Sequence, residues 1–127
     1  MNCNLPCQNG VVERAQFEKG INLINTQHFF EAHEVLEDLW RPMPLDDPHR
    51  RVMQGLVQIA VALHHCSTGN RTGALSVMRR AANNIAPAEH HALNIRFDLL
   101  RPAMEVWIAE LGRDGQSPRP IPILFVS

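Results

Sequence analysis

The sequence predicts an all-α fold: an up-and-down bundle of about five helices, two αα-hairpins followed by a C-terminal helix and a short extended tail. Three observations predict it. Apolar residues recur at helical spacing through most of the chain, as with Phe17, Ile21 and Ile24 at i, i+4 and i+7. Strand signals are nearly absent before the last ten residues. Proline, glycine and Asn/Asp clusters interrupt the helical pattern at intervals that suit helix–turn–helix connections.

The first helix is expected over about Val11 to Asn25. A turn at Thr26-Gln27 leads into the second, about His28 to Arg41. Pro42 and Pro44 in "RPMPLDDPHR" end it, because proline has no N–H to donate and its ring clashes with the preceding turn. Asp47 followed by Pro48 reads as an N-cap and first position, opening the third and most apolar helix, about Pro48 to Cys66. "STGN" stops that helix, and Asn70 is placed to cap the fourth, which runs to about Ile85 before Pro87. A final helical region reaches about Leu111, with Pro102 marking a fresh first turn or a kink. "GRDGQSPRP" is linker-like, and "IPILFVS" is an apolar tail expected to pack on the bundle or on a second subunit. Residues 1–127 thus read as a single helical domain, with 1–10 an N-terminal extension, 11–111 the bundle and 112–127 the linker and tail. Gly20 and Ala32 are twelve residues apart, and Ala62 and Ala74 repeat that spacing. Small residues there let the two helices of a hairpin approach closely, a pattern similar to a tetratricopeptide unit.

Composition excludes several function classes. The 127 residues are 45% hydrophobic and 20% charged, ordinary for a soluble globule. Net charge is −1, Tyr is absent, and no Lys/Arg stripe interleaves with aromatics, so nucleic-acid binding has no footprint. Three cysteines are too few, and odd in number, for a disulfide scaffold. Reduced thiols in the cytoplasm are expected. "MNCNLPCQNG" lacks a basic region followed by an apolar run, so no secretory leader is expected. No apolar stretch approaches the ~20 residues of a membrane span.

The stretch "FFEAHEVLEDLW" concentrates the candidate chemistry. At ~100° per residue, Phe29, Ala32, Val35, Leu36, Leu39 and Trp40 share a broad apolar face, while Glu31, Glu34 and Asp38 point largely away. His33 and Glu37 lie at its boundary, neighbours at i, i+4. On the third helix a narrow polar strip carries Gln54, Gln58 and His65. An antiparallel hairpin pivoting near Pro44 sets His33 level with Gly55, Glu34 with Gln54 and Glu37 with Arg51, with His64 and His65 in a different layer. Three uses of this cluster stand open. It can be a polar network fixing helix register, Glu37 on Arg51 and His33 on a Gln amide. It can be a ligand or divalent-metal site, since His and carboxylate at i, i+4 reach one ion. It can be an acid–base pair, His33 the base and Glu37 its orienting carboxylate.

"FFEAHEVLEDLWR", followed by "QGLVQIAVALHH" and "GNRTGA", resembles a family of small, mostly bacterial, all-helical proteins known as a domain of unknown function (number three hundred and nine). The resemblance covers Phe17 to about Ala82. It implies a helical-bundle fold and no established activity. Its pattern carries over to His33, Glu34, Glu37 and Trp40, then Gln54, Gly55 and Gln58, then His64 or His65 and the Asn70, Gly73, Ala74 turn. Glu34, solvent-facing by helix geometry, enters the candidate set through this resemblance alone.

The function expected from these residues is small-ligand or divalent-metal binding between the second and third helices, with hydrolase-like chemistry as an extension. The ligand-binding candidates are His33, Glu34, Glu37, Trp40, Gln54 and Gln58, and His33 and Glu37 are the catalytic and metal candidates. The alternative is a non-catalytic, tetratricopeptide-like interaction module. No nucleic acid or membrane is expected as partner, and the tail or an exposed helix face is the candidate homodimer surface. Trp40, Leu36, Leu56, Ile59 and Leu63 are expected to be buried together.

Overall fold

The computed structural model describes residues 6–113 and 115–126, with side chains from residue 14 onward. Five α-helices follow one another: α1 (Pro6–Asn25), α2 (Phe29–Trp40), α3 (Arg50–Ser67), α4 (Arg71–Ile85) and α5 (Phe97–Leu111). Each packs chiefly on its sequence neighbours, α1 on α2, α2 on α3, α3 on α4 and α4 on α5. The fold is the expected all-α bundle. Among the described residues the sole β feature is an isolated antiparallel bridge between Ile95 and Phe125. No helix among these residues is long and apolar enough to cross a membrane.

Helix ends differ from the sequence reading where local chemistry competes. α1 begins at Pro6, ahead of Val11; proline suits a first turn, where its missing N–H costs nothing. α2 is entered through Gln27 at φ 67°, which reverses the chain in the expected Thr26-Gln27 turn. Asp47 does not cap α3. Its Oδ1 accepts from the His49 N–H at 2.8 Å, closing an Asx turn one step early, and His49 takes the N-cap position. Asn70 caps α4 as expected, its Oδ1 accepting from the Gly73 N–H at 3.0 Å. The last helix does not start soon after Pro87. Residues 86–96 form a connection with a 3₁₀ turn at Ala92–Asn94, where Leu93 and Asn94 adopt φ 54° and 59°. α5 then runs unbroken across Pro102, so no fresh helix starts there.

The core is continuous from α1 to α5. Leu36, Leu56 and Ile59 are wholly buried and Leu63 nearly so, with Met78, Ile85, Phe97 and Trp107 among their buried company. Trp40 departs from the expected core: it is half-buried at the rim, its ring covered by the Arg50 guanidinium at 4.7 Å. Its position at the last turn of α2, where the 41–49 loop opens, leaves too little structure above it to complete burial. The small residues serve close approach. Ala32, Ala62 and Ala74 are fully buried. A Cβ on Gly55 would sit 2.7 Å from Ile85 Cγ1 and 3.2 Å from the Ala81 carbonyl, so α3 and α4 meet there at backbone distance.

The tail leaves α5 under the control of α4. The Arg71 guanidinium donates to the carbonyls of Glu110 (2.7 Å), Leu111 (3.1 Å) and Arg113 (2.5 Å), and also to that of Gln116. A cation thereby sits on the carbonyls at and just beyond the C-terminal end of α5, where the helix dipole favours positive charge. Beyond it the chain turns back and packs on its own helices, with Ile123 only 1% exposed.

Candidate functional site

Two sites emerge, one predicted and one not. The predicted one lies along the outer edge of the α2–α3 pair. His33 Nε2 stands 3.3 Å from Glu37 Oε1, and Arg41 Nη2 reaches the same oxygen at 3.0 Å. His33 and Glu37 are half-buried, the boundary position that their spacing on α2 implies. Glu34 is exposed. The Phe30 ring, itself 53% exposed, lies between two imidazoles, 5.9 Å from His33 and 5.4 Å from His64. Trp40 with Arg50 closes the other end of the stripe.

The observed register corrects the hairpin estimate. Trp40 meets Arg50 and Phe30 meets His64, about two and six residues beyond the positions that a pivot at Pro44 sets opposite them. The proline-containing loop is not a tight hairpin, and its length sets the slip. Two expected pairings therefore fail. Glu37 pairs with Arg41 on its own helix, while Arg51 turns to α4 and donates to Asn84 Oδ1 (3.2 Å) and the Asn83 carbonyl (3.0 Å). Gln58 likewise accepts from Asn84 Nδ2 at 2.7 Å and belongs to the α3–α4 contact. His64, assigned by the estimate to another layer, joins the His33 stripe through Phe30. Gln54 is half-buried. Among the described residues, no group of three or more His, Cys, Asp or Glu is gathered so as to hold a metal ion. Cys66 is a free, half-buried thiol, whereas Cys3 and the Cys7 side chain lie outside the described residues. His90 and His91 are exposed.

The Trp40 indole N–H is buried and has no hydrogen-bond partner. The guanidinium above the ring is itself held by donation to the Met43 carbonyl at 3.0 Å. Cation and aromatic face thus attract one another while the indole edge goes unsatisfied.

The unpredicted site holds the tail. Asn25, the last residue of α1, grips Ile123 in both directions: its Nδ2 donates to the Ile123 carbonyl at 2.9 Å, and its Oδ1 accepts from the Ile123 N–H at 2.8 Å. On α5, Trp107 Nε1 donates to the Arg119 carbonyl at 2.8 Å. Glu110, a buried carboxylate, accepts from the Arg119 backbone N–H (2.9 Å) and from Arg119 Nε (2.6 Å). These hydrogen bonds hold its pKa below the usual carboxylate range, against the opposing effect of burial. Farther on, the Arg96 N–H donates to the Leu124 carbonyl (2.8 Å) and the Val126 N–H to that of Asn94 (2.7 Å). Phe125 packs edge-on against Phe17, with Arg14 over both rings. One signal in the sequence does mark this site: Glu110 falls three residues after Trp107 on the stripe that also carries Leu100, Met104 and Leu111, an apolar face where a carboxylate needs a partner.

Residues 17–77 match the model of the Domain of unknown function (DUF309). Over that segment, just under half of its length, the chain is similar to this family. The DUF309 match spans the second half of α1, all of α2 and α3 and the first half of α4, and with them every residue of the predicted stripe. The chain is also similar to the "Uncharacterized protein YpuF" of Bacillus subtilis (strain 168), 38% identical over 68 residues, which cover 54% of this chain and 38% of that protein. An "Uncharacterized protein" of Aquifex aeolicus (strain VF5) is 28% identical over 81 residues, 64% of this chain and 24% of the relative. The chain therefore spans well under half the length of these curated relatives. α5 and the tail lie beyond the matched DUF309 segment, whereas Asn25, which grips the tail, lies within it.

Proposed function

We propose that this chain is a non-catalytic interaction module of stacked helical hairpins, docking a polypeptide partner across the outer edge of α2 and α3. The observation that carries this reading is Phe30: a half-exposed aromatic ring set between His33 and His64 on an open stripe. Aromatic side chains are enriched at protein interfaces relative to the rest of the surface. Stacking each helix on its sequence neighbours supports it as well, because such arrays present long surfaces rather than enclosed pockets.

Ligand, metal or hydrolase-like chemistry at His33 and Glu37 is the competing use of the same residues. It draws support from their 3.3 Å contact and half-burial. Against it, Glu37 is already engaged by Arg41, and the Gln58 amide is turned to Asn84 rather than to His33. A catalytic or coordinating pair needs converging polar groups around a reacting atom.

Calorimetric titration of the purified chain with zinc and manganese separates the two uses. The interaction module takes up neither ion at a site that His33→Leu or Glu37→Gln removes. Both variants keep stability within about 1 kcal/mol, as expected for a partly exposed ion pair. Stoichiometric uptake abolished by either substitution would establish the metal reading instead.

A further inference from the structure

The channel between α1 and α5 has the features of a recognition site. Its walls carry three polar side chains, Asn25, Trp107 and Glu110, and every hydrogen bond found for their side-chain polar atoms runs to residues 116–123. The helices alone leave these groups without partners. Leu63 and Cys66 of α3 form part of the floor, and a cleft of about 490 Å³ remains open beside residues 117–122.

What fills the channel is an extended segment with unusual backbone economy. Pro118, Pro120 and Pro122 alternate with Ser117, Arg119 and Ile121. Proline fixes its own φ and pushes the residue before it to extended conformations, so six consecutive residues lose little freedom on docking. The alternation also matches the donors. Arg119 and Ile123 offer N–H groups that the channel accepts, and the N–H of Ile121 is taken within the segment by the Arg119 carbonyl at 2.9 Å. Prolines stand at intervening positions, where no donor is needed. Recognition is therefore of backbone direction, plus three side chains: an arginine on a buried carboxylate, an isoleucine in the core and an aromatic ring on Phe17.

We infer that this channel is a binding site for extended peptide segments of the form Arg-Pro-X-Pro-Ile-X-Phe, and that residues 119–125 are its resident, displaceable ligand. The occupant it fits is such a segment on a partner polypeptide, which would make the contacts now made by the tail. This inference is independent of the α2–α3 stripe. A tethered ligand competes at the millimolar effective concentration typical of short linkers, so the free channel is scarce until the tail is disabled.

The test uses the full chain and a fluorescein-labelled synthetic peptide, SPRPIPILFV. In the Ile123→Asp chain, whose tail cannot re-enter the core, the peptide binds saturably. The wild-type chain binds it on the order of 10²-fold more weakly, because its own tail competes. Adding Asn25→Ala or Glu110→Gln to Ile123→Asp weakens binding about tenfold, the loss of one well-made contact. A peptide with glutamate in place of the arginine does not bind. Absence of saturable binding to a folded Ile123→Asp chain would overturn the inference. If that variant loses its helical circular dichroism, hydrogen exchange on the wild type decides. A displaceable tail lets the amides of Ile123 and Val126 exchange while those of α3 and α4 stay protected. Exchange of the tail amides only together with α3 and α4 would make the tail part of the core and overturn the inference.

Discussion

Gly55→Ala tests the close approach of α3 and α4. The added Cβ would stand 2.7 Å from Ile85 Cγ1, 3.2 Å from Ile85 Cδ1 and 3.2 Å from the Ala81 carbonyl oxygen. Carbon atoms in good contact sit about 3.5–4.0 Å apart, so roughly 1 Å must be opened against Ile85. Ile85 and Ala81 are both fully buried, and the carbonyl belongs to the α4 backbone, so neither neighbour yields freely. Overpacking of this kind costs about 1–3 kcal/mol. Replacing glycine by alanine inside a helix returns about 1 kcal/mol. With a backbone atom involved the steric cost lies in the upper part of its range, leaving a net loss of about 1–2 kcal/mol. Urea unfolding followed by far-ultraviolet circular dichroism reads this as a lower midpoint with an unchanged slope. Ile85→Ala alone should cost about 2–5 kcal/mol. Combined with Gly55→Ala it should cost less than the sum, by about 0.5–3 kcal/mol, because the cavity admits the new methyl. A Gly55→Ala chain as stable as wild type, or additivity in the pair, would show that α3 and α4 do not meet at this distance.

Three further outcomes are expected. Leu56→Ala should destabilise by about 2–5 kcal/mol, and a loss below about 1 kcal/mol would mean that α3 buries a different face. Asn70→Ala should cost about 1 kcal/mol in urea unfolding by removing the cap on the Gly73 N–H, and no loss would show that the cap is not formed. Asp98, paired with Arg96 through two contacts of 3.0 and 2.7 Å, has its pKa lowered from 3.8 to about 2, chiefly by the hydrogen bond from that guanidinium. A lowered folded-state pKa stabilises above the unfolded value, so this contribution should be full above about pH 4 and lost as pH falls toward 2. Carboxyl chemical shifts should place the Asp98 midpoint near 2, and a midpoint at the ordinary value would dissolve the pair.

Much of the helical layout is legible from period and punctuation. Asn70, the Thr26-Gln27 turn and the Pro42–Pro44 break act through local backbone chemistry, which a sequence carries in full. Register between helices is different. It depends on how a loop of several residues folds, and a slip of a few positions between α2 and α3 exchanged Arg51 for Arg41 as the partner of Glu37. The same slip brought His64 to Phe30. The tail channel was less legible still, because Asn25, Trp107 and Glu110 meet residues 119–123 only after the chain has turned back on itself. Asn25 reads as a helix terminus and Trp107 as core. Glu110 alone was out of place on its face.

Docking through the α2–α3 stripe is tested most directly by site-specific photocrosslinking. A benzophenone amino acid in place of Phe30, in the full chain expressed in its host, should yield a discrete polypeptide adduct on irradiation. The same group at Arg80, exposed on α4, serves as the control and should yield none. His33→Ala introduced beside the probe should diminish the adduct, since His33 flanks the ring. No adduct at position 30, or equal labelling at positions 30 and 80, would contradict a polypeptide partner at this surface.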